Sequence, residues 1–126
     1  MKKIIHTSNA PEPIGPYSQA VQSGNLLFVS GQVAIDPSSN QVIDGDVKAE
    51  AEQVMKNLDQ LLKAAGYSFS DIVKTSIFLS DMAHFTTVNE VYAAYFSSDF
   101  PARETVAVLG LPKNVNVEIS IIAAKA

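Results

Sequence analysis

Two charged residues stand where charge is unusual in this chain. Arg103 enters an extended run through Pro101-Ala102-Arg103-Glu104-Thr105, and Glu118 lies inside Val115-Asn116-Val117-Glu118-Ile119-Ser120-Ile121-Ile122. Most other charge falls on helical or turn segments. A guanidinium is planar, permanently charged and able to grip a carboxylate through two parallel hydrogen bonds. A carboxylate among apolar residues is a candidate base. Together the two could face a small anionic substrate. The plainer reading is that each is a surface charge, since charged side chains are rarely buried unless paired. That reading weakens for Glu118, whose own face of the strand also carries Ile122 and Ala124. An anion on a dry face needs a partner or a task.

Composition narrows the chemistry. With 126 residues and 47% apolar content, a single domain spanning 1–126 with a real core is expected. There is no cysteine, which excludes disulfides, thiolate catalysis and sulfur-ligated metals. His6 and His84 are too few and too badly spaced for a zinc site. Net charge is -4, from 9 basic and 13 acidic residues. No basic cluster exceeds Lys2-Lys3, which argues against a nucleic-acid partner and for a small molecule. No run reaches the roughly 18 apolar residues of a membrane span. Met1 to His6 lack the apolar region of a signal peptide. A cytoplasmic protein is therefore expected.

Several elements must position these groups. Residues 8–19 hold three prolines and one glycine and read as a stiff loop anchored by Ile14 and Tyr17. Tyr17 either offers its hydroxyl to a pocket or packs over the core. Ala20 to Gln22 and Leu26 to Ser30 read as strands joined by the turn Ser23-Gly24-Asn25. Ser30-Gly31-Gln32 marks a bulge or a close approach. Turns follow at Asp36 to Asn40 and Asp44 to Asp46. Asp46 is a good N-cap for a helix whose stripe is Val47, Ala51, Val54, Met55, Leu58, Leu61, Leu62 and Ala65, stopped at Gly66.

Asp71 to Leu79 predicts a strand, and Ser80-Asp81-Met82 caps a second helix over about residues 83–97. Phe85, Val88, Tyr92, Tyr95 and Phe96 form its apolar stripe. Asn89 lies on or beside that stripe, either hydrogen-bonded structurally or reaching a pocket. Two last strands, Thr105 to Leu109 and Val115 to Ile122, are joined by Gly110 to Asn114. The order specifies an α+β domain with one sheet of five or six strands and two helices. Two helices cover one face only. Leu26 to Val29 and Val117 to Ala123 are apolar on both faces, so another copy of the chain is the simplest cover for the second face.

Six segments at characteristic spacing then point to a family. They are Ile14-Gly15-Pro16-Tyr17-Ser18-Gln19, Val29-Ser30-Gly31-Gln32, Asp71-Ile72-Val73-Lys74-Thr75, Asn89-Glu90-Val91-Tyr92, Pro101-Ala102-Arg103, and Leu111-Pro112-Lys113 followed by Val117-Glu118-Ile119. Over about residues 4–124 the chain closely resembles the RidA (YjgF) family of reactive-intermediate deaminases. The resemblance implies a chorismate-mutase-like fold with one mixed six-stranded sheet and two helices on one face. It implies a last strand inserted between earlier strands, and a homotrimer with clefts between subunits. It implies hydrolysis of 2-iminobutanoate and 2-iminopropanoate to 2-oxo acids and ammonia. Carried over, Arg103 grips the substrate carboxylate, Glu118 activates water, and Tyr17, Ser30, Gly31, Asn89 and Thr105 line the pocket. Such chemistry needs orientation and one base, so the resemblance implies no metal and no cofactor.

Family members often read Arg-Ser-Cys where this chain has Arg103-Glu104-Thr105. Strand alternation predicts that Glu104 points away from Arg103 and Thr105. The alternative to catalysis is a regulatory protein that holds a carboxylate or 2-oxo acid without turning it over.

Overall fold

The last strand of the chain occupies an inner position of the sheet. A computed structural model describes residues 1–126. Strand β8 (Val117–Ala124) runs antiparallel between β3 (Leu26–Gln32) and β6 (Ile72–Leu79). Outside β3 lie β2 (Ala20–Ser23) and β1 (Lys2–Ile5), and outside β6 lies β7 (Ala102–Ala107), giving the order β1-β2-β3-β8-β6-β7. Only the β6–β7 pair is parallel. Two short strands, β4 (Ile35–Asp36) and β5 (Gln41–Val42), form a separate ladder around the Asp36 to Asn40 turn. The mixed six-stranded sheet with two helices is the architecture expected.

The helices follow local chemistry. In α1 (Val47–Ala65) the Asp46 Oδ1 accepts the Ala49 N–H at 2.9 Å. Gly66 closes it at φ 80, donating its N–H to the carbonyls of Leu62 and Lys63, the left-handed stop that a glycine adopts without strain. The stripe Val54, Met55, Leu58, Leu61 and Leu62 is buried against Leu27, Val29, Ile77, Leu79, Val117, Ile119 and Ile121. Each such side chain contributes about 1.5–3 kcal/mol by leaving water. Neither helix is long and apolar enough to cross a membrane.

Some boundaries differ from expectation. The second helix does not run over 83–97. A turn of 3₁₀ helix (Met82–His84), held by Asp81 accepting the Ala83 N–H, leads into α2 (Phe85–Ala93). Tyr95 and Phe96 lie beyond its end and pack on Phe69, with Phe96 also on Tyr92. Beyond Ala93 the chain tightens, Tyr95 and Phe96 donating their N–H groups to the carbonyls of Tyr92 and Ala93 at 3.1 Å. Strand β1 is unexpected, because only its Ile5 is buried and Lys2 and Lys3 are exposed. Strand β7 starts at Ala102 rather than Thr105, and β8 starts at Val117 rather than Val115. The short link between them is no hairpin, since β8 pairs with β6 and β3 instead.

The sheet face turned from the helices stays open. It carries Ile4, Val21, Leu26, Phe28, Phe78, Val106 and Ile122, with Phe28 42% and Val106 43% exposed. On the same face Glu104 pairs with Lys74 at 2.9 Å and accepts a hydrogen bond from Ser76, which holds its carboxyl below the usual range. The Ser76 bond is the larger cause. Glu104 therefore points away from Arg103, as alternation requires.

Candidate functional site

Arg103 belongs to the helix side of the sheet. It stands opposite Thr75 in the β6–β7 register, and paired residues share a face. Its Nη1 donates to Asn89 Oδ1 at 2.7 Å. Its guanidinium carbon lies 5.2 Å from the Tyr92 ring centre and 5.8 Å from that of Phe85, within cation–π range. Tyr92 is itself fixed by donating to Thr75 Oγ1 at 3.0 Å. Burial pushes the Tyr92 phenol up, against smaller opposing effects of Thr75 and Arg103. No carboxylate of the same protomer pairs with Arg103. Its charge therefore remains available to an anion, with the fork held flat by two rings and one amide.

Thr105, two residues on, shares this face. Its hydroxyl oxygen is buried and has no hydrogen-bond partner, an arrangement that needs an explanation in any native structure. Asn89, Tyr92, Ala93, Phe100, Pro101 and Arg103 enclose a hollow of about 420 Å³.

Glu118 belongs to the other side. It stands opposite Phe78 and looks away from the helices. The β3–β8 register slips between Val29 and Gln32, and the bulge sets Gly31 under the Glu118 side chain. A Cβ at position 31 would lie 2.7 Å from Glu118 Cδ, inside any tolerable contact. Bulge and close approach thus coincide at one glycine. The Glu118 carboxylate is half-buried and makes no hydrogen bond or ion pair within the protomer, and burial pushes its pKa above 4.5. A carboxylate so desolvated is a stronger base than one in water.

The proline-rich loop forms the opposite wall. Tyr17 and Ile14 face the same hollow, about 520 Å³ in volume, as Gly31 and Glu118. The Tyr17 hydroxyl accepts the Ile14 N–H at 3.3 Å, and the ring is 52% exposed. Ser30 Oγ donates to the Ser18 carbonyl at 2.6 Å, so this hydroxyl ties the loop to β3. Gln19 braces the loop against the segment that precedes it. It is buried, donates Nε2 to the carbonyls of Thr7 at 3.0 Å and Pro11 at 2.8 Å, and accepts the Thr7 N–H at 2.8 Å. Pro112 and Lys113 close the far end.

The sequence-predicted residues thus fall into two sets. Tyr17, Ser30, Gly31 and Glu118 share one hollow; Asn89, Arg103 and Thr105 cluster elsewhere. One protomer does not bring the sets together. Three contributors escaped sequence reading: Gln19, Lys113 and the buried Glu50 of α1. Gln19 and Lys113 sit inside quoted motifs without a local sign of their role. Glu50 did leave a signal, because its spacing of three from Val47 and four from Val54 puts it on the apolar stripe. No group of three or more acidic or histidine side chains is placed to hold a metal ion.

Comparison with known proteins adds to this geometry. A family model described as Endoribonuclease L-PSP matches residues 7–125. A Mus musculus protein named 2-iminobutanoate/2-iminopropanoate deaminase is 50% identical over 125 residues, covering 99% of this chain and 93% of its own. The crystal structure of RidA from the Antarctic bacterium Psychrobacter sp. PAMC 21119 superposes with a TM-score of 0.94 at 42% identity, covering 98% of this chain and 99% of that one. The crystal structure of E. coli TdcF with bound serine does so with a TM-score of 0.94 at 40% identity, at the same coverage.

Proposed function

The chain belongs to the endoribonuclease L-PSP family, the YjgF/RidA family, and from that premise we propose that it hydrolyses 2-iminobutanoate and 2-iminopropanoate to 2-oxo acids and ammonia. The observation that carries the reading is the unpaired, half-buried Glu118 carboxylate seated against Gly31. Support also comes from the name of the mouse relative and from the serine, a carboxylate-bearing ligand, in the E. coli structure.

The site is composite. One protomer presents Glu118, Gly31 and Tyr17; a second presents Arg103, Asn89 and Thr105. A ring of three copies, each covering its neighbour's open sheet face, gives three equivalent clefts. In each cleft the guanidinium binds the substrate carboxylate, and its planar fork orients the adjacent C=N carbon. The imine reacts as its N-protonated form: Glu118 takes a proton from water as the water oxygen bonds to that carbon and the C=N π electrons move to nitrogen, forming a neutral carbinolamine. The protonated Glu118 returns the proton to nitrogen. The C–N bond then breaks with its electrons leaving on ammonia, while Glu118 takes the hydroxyl proton, the carbonyl forms, and Glu118 passes that proton to the departing ammonia as ammonium.

The test is a coupled assay. A threonine or serine dehydratase generates the imine, and ammonia and 2-oxo acid are followed with and without this protein. Acceleration that disappears in Arg103→Ala supports the reading, and equal rates for the two proteins reject it. A second reading is carboxylate binding without turnover, favoured by the fact that Arg103 and Asn89 form their hollow without any base of the same protomer. It requires saturable 2-oxo acid binding and no acceleration in that assay. RNA is given no part, because a net charge of -4 without a basic groove opposes a polyanion.

A further inference from the structure

Asn116, two residues before Glu118, is bonded through its backbone N–H, its carbonyl and both polar atoms of its side chain. Its backbone N–H donates to Glu50 Oε1 at 3.0 Å and its Nδ2 donates to Glu50 Oε2 at 2.6 Å. Its side-chain oxygen accepts from Ser80 Oγ at 2.8 Å, and its carbonyl accepts the Ser80 N–H at 3.0 Å. The acceptor, Glu50, is 5% exposed and has no cationic partner. Two amide donors and the positive end of α1 are its compensation. An apolar residue would fill that volume at lower cost, since a buried carboxylate loses its hydration. Its presence calls for a geometric explanation.

The segment it holds supplies one. Lys113 and Asn114 both adopt left-handed conformations, at φ 58 and 55. Such a backbone persists only where the surroundings over-determine it. Pro112 and Lys113 line the Glu118 hollow, and β8 begins one residue after Asn116. A slip at Asn116 would therefore move the hollow's end wall and lift Glu118 from its notch over Gly31.

We propose that Glu50 is a positioning residue, which through Asn116 sets the start of β8 and so the seat of Glu118. The inference rests on Glu118 being the base of the proposed reaction. Glu50 is remote from substrate and takes no proton in the mechanism.

A reversed pair tests it. Glu50→Gln sets an amide N–H against Asn116 Nδ2, donor against donor. The double variant Glu50→Gln/Asn116→Asp turns that bond round and leaves the backbone N–H and the Ser80 hydroxyl with acceptors. The Glu118 carboxylate is titrated by ¹³C NMR, its signal assigned by its loss in Glu118→Gln. Lys113, Glu12 and Tyr17, the other titratable groups on the hollow, and the Arg103 that a second copy brings to the cleft are unchanged in every variant. Glu50→Gln is expected to bring the Glu118 midpoint down toward the ordinary carboxylate value. It should also lower kcat by about ten- to a hundred-fold, the scale of a displacement near 1 Å at a reacting group, with KM changing less. The double variant is expected to restore the midpoint and kcat together.

An unchanged midpoint in Glu50→Gln overturns the proposal. So does a double variant that regains thermal stability but not the Glu118 midpoint, and that comparison decides the matter if Glu50→Gln alone does not fold. A wild-type protein that hydrolyses no imine refutes the deaminase reading, while the titration still judges the role of Glu50.

Discussion

Arg103 and Glu118 point to opposite faces of one sheet. Their partners on β6 are Thr75 and Phe78, an odd number of residues apart, and side chains alternate along a strand. No rotamer change within a protomer brings the guanidinium to the carboxylate. If both act on one substrate, they come from different copies.

Mixed oligomers test this directly. Arg103→Ala should lose about 100- to 1000-fold in kcat/KM, the scale for removing a preorganised charged donor. Arg103→Lys should recover little, because a point charge lacks the bidentate fork. When Arg103→Ala and Glu118→Gln are unfolded, mixed equally and refolded together, about a quarter of wild-type activity should return, from clefts that draw one intact group from each copy. No recovery would mean that the two groups do not serve a shared cleft.

Glu118→Gln should separate activity from stability. The kcat should fall about 100-fold or more with the loss of the base. The sign of the stability change follows from linkage. Burial raises the Glu118 pKa, so its contribution to stability is full below the unfolded-state pKa and is lost as pH rises through the folded one. At neutral pH the folded protein carries this charge at a cost. Glu118→Gln should then melt higher than wild type at neutral pH, with the two converging near about pH 4. A variant that melts lower at neutral pH would show that Glu118 is paired in the assembled protein.

Gly31→Ala places a methyl group where Glu118 Cδ and Cγ now lie. Relief by movement of the side chain should cost about 1–3 kcal/mol of stability and most of the activity. Measuring kcat beside thermal unfolding checks this. Wild-type kcat would mean that the carboxylate works from another position.

Thr105→Val removes a buried hydroxyl that has no partner. Stability should be unchanged or improve by up to about 1 kcal/mol, since no hydrogen bond is lost. If substrate supplies the missing partner, KM rises while the unfolding temperature does not fall. An unfolding temperature that drops sharply would reveal a structural bond made in the assembly.

Phe28→Asp charges the open apolar face. Sedimentation should shift from an oligomer toward monomer, with activity lost in parallel, because burying an unpaired carboxylate opposes association. A monomeric wild type would remove the composite cleft altogether.

Much of the fold was legible before the coordinates. The caps of α1 at Asp46 and Gly66 and its stripe depend on neighbours within one or two turns, so local spacing specifies them. Tyr95 and Phe96 pack on the core as their spacing predicts, but the helix ends at Ala93, and their contacts with Phe69 are tertiary. Strand β1 was missed because an edge strand with two exposed lysines has little alternation to read.

The candidate site divides in the same way. Residue types at spacing, with the family resemblance, singled out Arg103, Glu118, Tyr17, Ser30, Gly31, Asn89 and Thr105, and named the chemistry they suit. Which face each residue takes was a tertiary decision. It depends on the register of β6 with β7 and β8, and on one bulge at Gly31, and a shift of a single residue reverses every side chain. The partition of Arg103 from Glu118, the notch that fits a carboxylate over Gly31 and the buried Glu50–Asn116 clasp all arise from pairings between segments remote in the chain, which local spacing does not encode.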